Sequence, residues 1–193
     1  MSGRHLNLQA IQAAATKTLT TTGQFRLPVD VDAVAEALGI AVNYAQLEAD
    51  YSGLLVIRGG QATAHINSDH HPNRQRFSLA HEIAHFVLHE EKQTARDSAY
   101  VDKAMRLYHR ADRAAGQDAK QEWQANLFAA ELLMPEQLLR SKILGEGYDL
   151  EDENDVSRLA VVLRVSEQAL AIRLTRMSDL LNEIFDESAF NGL

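Results

Sequence analysis

The spacing of apolar and polar positions predicts a short strand-forming region between Ile40 and Asn67, set among helical segments. Asp30 to Leu38, opened by Pro28 and stopped by Gly39, reads as a helix feeding a strand over Ile40 to Tyr44. Leu54 to Arg58 and Ala62 to Asn67 read as a β-hairpin, because Gly59-Gly60 between them suits a tight turn. After a loop, His70-His71-Pro72, the segment Phe77 to Leu88 is apolar nearly all round, with Ser78 as the polar residue at its start. That is the pattern of a buried helix. In the charged stretch that follows, Tyr100 to Ala111 reads as a helix and Arg113 to Lys120 as a loop containing Gly116. A solvated connector is its expected role, a lid the alternative. Glu122 to Met134, closed by Pro135, forms a second buried helical run, apolar from Trp123 on except at Gln124, Asn126 and Glu131.

Beyond Pro135 the pattern changes. Glu136 to Leu144 reads as a short helix, Gly145 to Asp155 as an acidic loop, Val156 to Leu163 as a helix, and Glu167 to Met177 as another after a Val165-Ser166 turn. Two short helices about a tight turn form a helix-turn-helix-like unit. Met1 to Gln24 reads as a short helix with a polar tail. The elements sum to an α+β fold, a mostly helical domain with a small sheet and a C-terminal helical segment. The expected division is 1–27 for the N-terminal helix and tail, 28–135 for the core, and 136–193 for a helical segment packed on it.

With 193 residues, 46% hydrophobic and 24% charged, the chain has an ordinary globular composition and enough length for one real core. No run of about 18 apolar residues predicts a membrane span, and the N-terminus lacks a charged-then-apolar signal layout. The absence of cysteine excludes disulfides and thiolate ligands, restricts any metal site to histidine and carboxylate, and fits a cytoplasmic protein. A net charge of −8 argues against general affinity for DNA. It fits capture of a basic protein partner, although acidic balance is also common in cytoplasmic proteins.

The candidate chemistry lies in the buried helix, where His81-Glu82-Ile83-Ala84-His85 reads H-E-x-x-H. Residues four apart on a helix lie within about 40° around the axis and about 6 Å along it, so both imidazoles can reach one ion. Glu82 between them is placed to take a proton from a bound water. Polar groups inside a buried helix need partners, and a metal ion would supply one for all three. The alternative is two surface histidines beside a salt-bridged glutamate. His89 repeats the spacing, but on an unbroken helix it stands about 12 Å from His81 along the axis, too far to share the ion.

A third ligand is sought in the second helical run. Glu122 and Asn126, four apart, share one face, while Glu131 points oppositely. The pair suits a carboxylate ligand with an amide that orients another ligand. Equally, Glu122 fits a first-turn acid favoured by the helix dipole, and Asn126 a hydrogen bonder between helices.

The stretch Pro72-Asn73-Arg74-Gln75-Arg76-Phe77-Ser78-Leu79-Ala80-His81-Glu82-Ile83-Ala84-His85, followed by Glu122-x-x-Ala125-Asn126-x-Phe128-Ala129-Ala130-x-Leu132-Leu133-Met134-Pro135, resembles the ImmA/IrrE metallopeptidases over roughly residues 28 to 180. The resemblance implies a zincin-like fold with a small sheet beside the metal helix. It also implies zinc held by His81, His85 and Glu122, with Glu82 as general base; manganese or another divalent ion also suits this donor set. Members of that family typically cleave a helix-turn-helix transcriptional repressor, often encoded beside them, in phage, mobile-element or stress responses. With Leu193 as the last residue of the sequence, the extra C-terminal sensory domain that some relatives carry is not expected. Tyr51, His65, His70, Tyr108 and His109 are chemically suited to steady an oxyanion, and the sequence does not choose among them. The rival expectation is a non-catalytic regulator with a structural metal site, binding DNA or a repressor through its C-terminal helices. Arg173 and Arg176 are the only basic residues on the would-be recognition helix, so packing on the core is the expected role of that segment.

Overall fold

The computed structural model describes residues 7–90, 98–103 and 117–177. Its elements are α1 (Leu8–Thr21), α2 (Val31–Ala37), β1 (Ile40–Ala45), β2 (Tyr51–Arg58), β3 (Gln61–Asn67), α3 (Pro72–His85), a π-helical turn (Phe86–Glu90), β4 (Ser98–Lys103), α4 (Gln117–Leu133), α5 (Glu136–Glu146), α6 (Glu153–Leu163) and α7, residues 167–177. The fold is α+β, as the sequence predicts: a helical domain carrying one small sheet.

Among the described residues the sheet has four strands, in the order β1-β3-β2-β4. β2 and β3 form the expected antiparallel hairpin, with Arg58 opposite Gln61 across the turn. Gly59 (φ 54°) and Gly60 (φ 80°) both occupy the left-handed region that such a turn requires. β1 runs parallel to β3, Ile40 pairing with Ala62. β4 pairs antiparallel with β2. This corrects the expected helix over Tyr100 to Ala111, since Tyr100 to Lys103 belong to a strand; the remainder of that segment lies outside the described residues. The expected loop over Arg113 to Lys120 is corrected as well, because Gln117 already begins α4.

Alternation places Ala62, Ala64 and Ile66 of β3 on the buried face with Leu55 of β2, and α3 packs across that face. α3 presents Leu79, Ala80, Ile83 and Ala84 inward, and α4 lies along it with Ala125, Phe128, Ala129 and Leu132. α1 packs on α4 and contributes Ile11, Ala15 and Leu19, each fully buried. A helix with a polar tail expected from Met1 to Gln24 therefore supplies three core residues. α3 starts earlier than Ser78, which is buried within it. Pro72 occupies its first turn and His71 Nδ1 accepts from the Asn73 amide at 3.2 Å, capping the helix.

The charged first turn of α3 is fastened on several sides. Arg76 donates to the carbonyls of Val29 (2.8 Å) and Arg164 (3.2 Å), and Asn73 to that of Val165 (2.9 Å). The C-terminal helices thus meet the start of α3 at the α6–α7 turn, where Arg164 sits left-handed (φ 55°) and Ser166 caps α7 through the Ala169 amide. Arg173 of α7 is buried, donating to the Met134 carbonyl at 3.1 Å and pairing with the buried Glu131 carboxylate. One of the two arginines that a recognition helix would offer is committed to the core.

Candidate metal centre

α3 and α4 cross with His81, His85 and Glu122 facing one another. His81 Nε2 and His85 Nε2 are 3.0 Å apart, and the Glu122 oxygens lie 3.2 Å from each. The two imidazoles are nearly inaccessible, whereas Glu122 is half-buried. One donor atom from each residue can be chosen so that all lie within 4.8 Å of one another. Their convergence follows from sequence spacing on α3 and from the α3–α4 packing, which brings in a residue 37 or more positions away. Glu122 joins the histidines instead of serving only as a first-turn acid, and Glu131 points to Arg173 on the far side of α4.

The donor set fits a small divalent cation. Donors bound to a tetrahedral zinc at about 2.0–2.1 Å stand roughly 3.3 Å from one another, close to the separations observed. Two imidazoles with one carboxylate favour a transition ion over calcium or magnesium, which prefer all-oxygen sites. Burial pushes the Glu122 carboxyl upward, but hydrogen bonding and charge from His81 and His85 outweigh it and hold the group well below the usual carboxylate range. Glu122 is therefore ionised at neutral pH, the form a ligand requires.

Asn126, one turn beyond Glu122, reaches His81. Its Oδ1 lies 3.1 Å from His81 Nδ1. A carbonyl oxygen only accepts, so Nδ1 is the donor in this contact, which leaves Nε2 as the ring atom that would ligate an ion. Glu82 is fully buried, and its carboxylate lies against Gly53 of β2. α3 ends at His85 and the chain continues as a π turn through His89, whose ring centroid is 5.5 Å from that of His85. His89 does not join the ligand cluster.

Of the residues considered for the oxyanion, His65 lies next to Ala64 and Ile66 but on the opposite face of β3, where its Nδ1 meets Asn43 Nδ2 at 3.2 Å. His70 sits in the loop before α3, its carbonyl accepting from Gln75. Tyr51 begins β2, and its carbonyl accepts from Asn67. Tyr108 and His109 lie outside the described residues. A cavity of about 630 Å³ opens between α1, α3, α4 and α7, with Ser52, Phe77, Ser78, Trp123, Leu127 and Ile172 in its wall; the residues of the cluster do not line it. Trp123, expected among the buried residues of α4, is 45% exposed at this cavity. The sequence carried one overlooked signal here, the glycine at position 53, which falls inside β2 although the expected strand began at Leu54.

A family model described as the IrrE N-terminal-like domain, of the peptidases, matches residues 35–175. That span runs from α2 into α7 and includes the whole cluster. No curated protein matches the chain.

Proposed function

Starting from the family match, by which the chain belongs to the IrrE N-terminal-like family of metallopeptidases, we propose that it is a zinc-dependent endopeptidase that cuts a helix-turn-helix transcriptional repressor. The observation that carries the reading is the meeting of His81, His85 and Glu122 around one point, with Glu82 between the histidines. A purely structural site has no use for a buried carboxylate at that position.

In this reading His81, His85 and Glu122 hold the ion and Asn126 fixes the His81 ring. When bound, zinc lowers the pKa of its water and polarises the scissile carbonyl. Glu82 takes the proton from the attacking water and delivers it to the leaving amine. Its full burial keeps bulk water from competing for that proton. The cavity along α3 and α4 has the volume of a ligand pocket and apolar walls, so it can receive side chains of a bound segment. The acidic balance of the chain suits a basic, DNA-binding substrate. Cleavage of that repressor would release the genes it silences, in a stress, phage or mobile-element response within the cytoplasm.

The test is to incubate the purified chain with helix-turn-helix repressors of its own organism, beginning with any encoded beside it, with zinc or manganese, and to map products by mass spectrometry. A single cut that a chelator abolishes is expected. An intact repressor in the presence of metal-loaded protein contradicts the proposal.

A further inference from the structure

We infer that Gly53 is a positioning residue for the general base: the space left by its missing side chain is the space the Glu82 carboxylate occupies. The catalytic consequence rests on the peptidase reading above, whereas the competition for space between positions 53 and 82 does not.

Gly53 lies inside β2, opposite Ile66 of β3 on one side and Asp102 of β4 on the other. The β2–β4 register shifts between Tyr51 and Gly53, as at a bulge, and such irregularities often re-aim side chains near active sites. Leu55, two residues on and therefore on the same face, is fully buried where α3 packs. A methyl group at position 53 would stand 2.6 Å from Glu82 Oε1 and 3.3 Å from both Cδ and Cγ. The first separation is far inside van der Waals contact.

Backbone freedom does not explain this glycine. Its φ is outside the left-handed region, unlike those of Gly59 and Gly60. Glycine is also disfavoured inside strands, where it adds chain entropy and packs nothing. What position 53 requires is the absence of Cβ. The strand is held by ladders on both sides and α3 is packed on its apolar faces, so the softest atoms at the contact are those at the end of the Glu82 side chain. An alanine at 53 would be accommodated by displacing that carboxylate roughly 0.8 Å, from 2.6 Å to an ordinary contact near 3.4 Å. The fold survives such a shift and the base loses its aim.

The experiment is a double-substitution cycle with two readouts. Gly53→Ala should retain metal and lower kcat on a helix-turn-helix repressor about 100-fold, the scale of a displacement near 1 Å, with KM little changed. Glu82→Asp withdraws the carboxylate by one methylene, so Gly53→Ala combined with Glu82→Asp should lose less than the product of the two single losses. In metal-free protein, Gly53→Ala should lower Tm in the wild-type background and leave it unchanged or raised in a Glu82→Ala background. Wild-type kcat in Gly53→Ala, multiplicative losses, or an equal Tm penalty in both backgrounds would each overturn the inference. A Glu82→Gln arm separates the two claims. If that variant still cuts, the role of Glu82 as base falls, and the melting cycle alone decides whether the two positions compete for space.

Discussion

Removing the Asn126 amide should weaken metal binding without dismantling the fold, by an amount set by one hydrogen bond. His81 is 1% exposed, and its Nδ1 meets Asn126 Oδ1 at 3.1 Å while Nε2 faces the other donors. Asn126→Ala leaves a buried imidazole N–H without that acceptor, which costs about 1–3 kcal/mol, or about 5- to 150-fold in affinity. Asn126 itself is half-buried, so water can replace part of the lost bond and the lower end applies, about 5- to 30-fold. Asn126→Asp keeps an acceptor and makes it charged, so its affinity should stay within a few-fold of wild type. Competition against a chromophoric zinc chelator at fixed pH measures all three proteins. An Asn126→Ala affinity within twofold of wild type would refute the argument that this amide orients His81.

Two further outcomes follow from the same geometry. Zinc at a hundred times its dissociation constant should stabilise the chain by about 2.7 kcal/mol, raising Tm by roughly 5–10 °C; Glu122→Ala should lose most of that gain, and an equal gain in the variant contradicts the ligand set. Ile11→Ala should cost about 2–5 kcal/mol in chemical denaturation, because the side chain is fully buried where α1 meets α4; a loss below about 1 kcal/mol would show that α1 is not integrated into the core.

The parts of the fold readable in advance were those governed by neighbours in sequence. The Gly59-Gly60 turn, the start of α2 at Asp30, whose carboxylate accepts from the Ala33 amide, and the α6–α7 turn all depend on residues within a few positions. The histidine pair belongs to the same class, since helical spacing alone brings it together. Glu122 and Asn126 were legible as a face of α4, but what that face meets depends on how α3 and α4 cross.

The errors have a common cause in contacts made far along the chain. β4 is a strand because it pairs with β2, more than 40 residues earlier, and nothing within its own six residues announces that partner. Asn73, Arg74, Gln75 and Arg76 look like loop residues until their partners are known: the Val165 carbonyl, the Ser52 hydroxyl, the His70 and Ser68 carbonyls, and the Val29 carbonyl. Those bonds let α3 begin at Pro72. Arg173 reads as a surface cation until Glu131, 42 residues earlier, is placed beside it. Gly53 precedes the expected strand Leu54 to Arg58 and is taken into it only because β2 begins at Tyr51, and its meaning depends on Glu82 lying across from it.

If Glu82 is the base of a metal-dependent peptidase, the most direct test compares wild type with Glu82→Gln on a helix-turn-helix repressor while counting bound metal. The amide is nearly isosteric and replaces none of the three candidate ligands, so the variant should bind one equivalent of metal as wild type does. It should also lose cleavage by at least 100-fold. Metal-loaded Glu82→Gln that cuts at the wild-type rate would contradict the account.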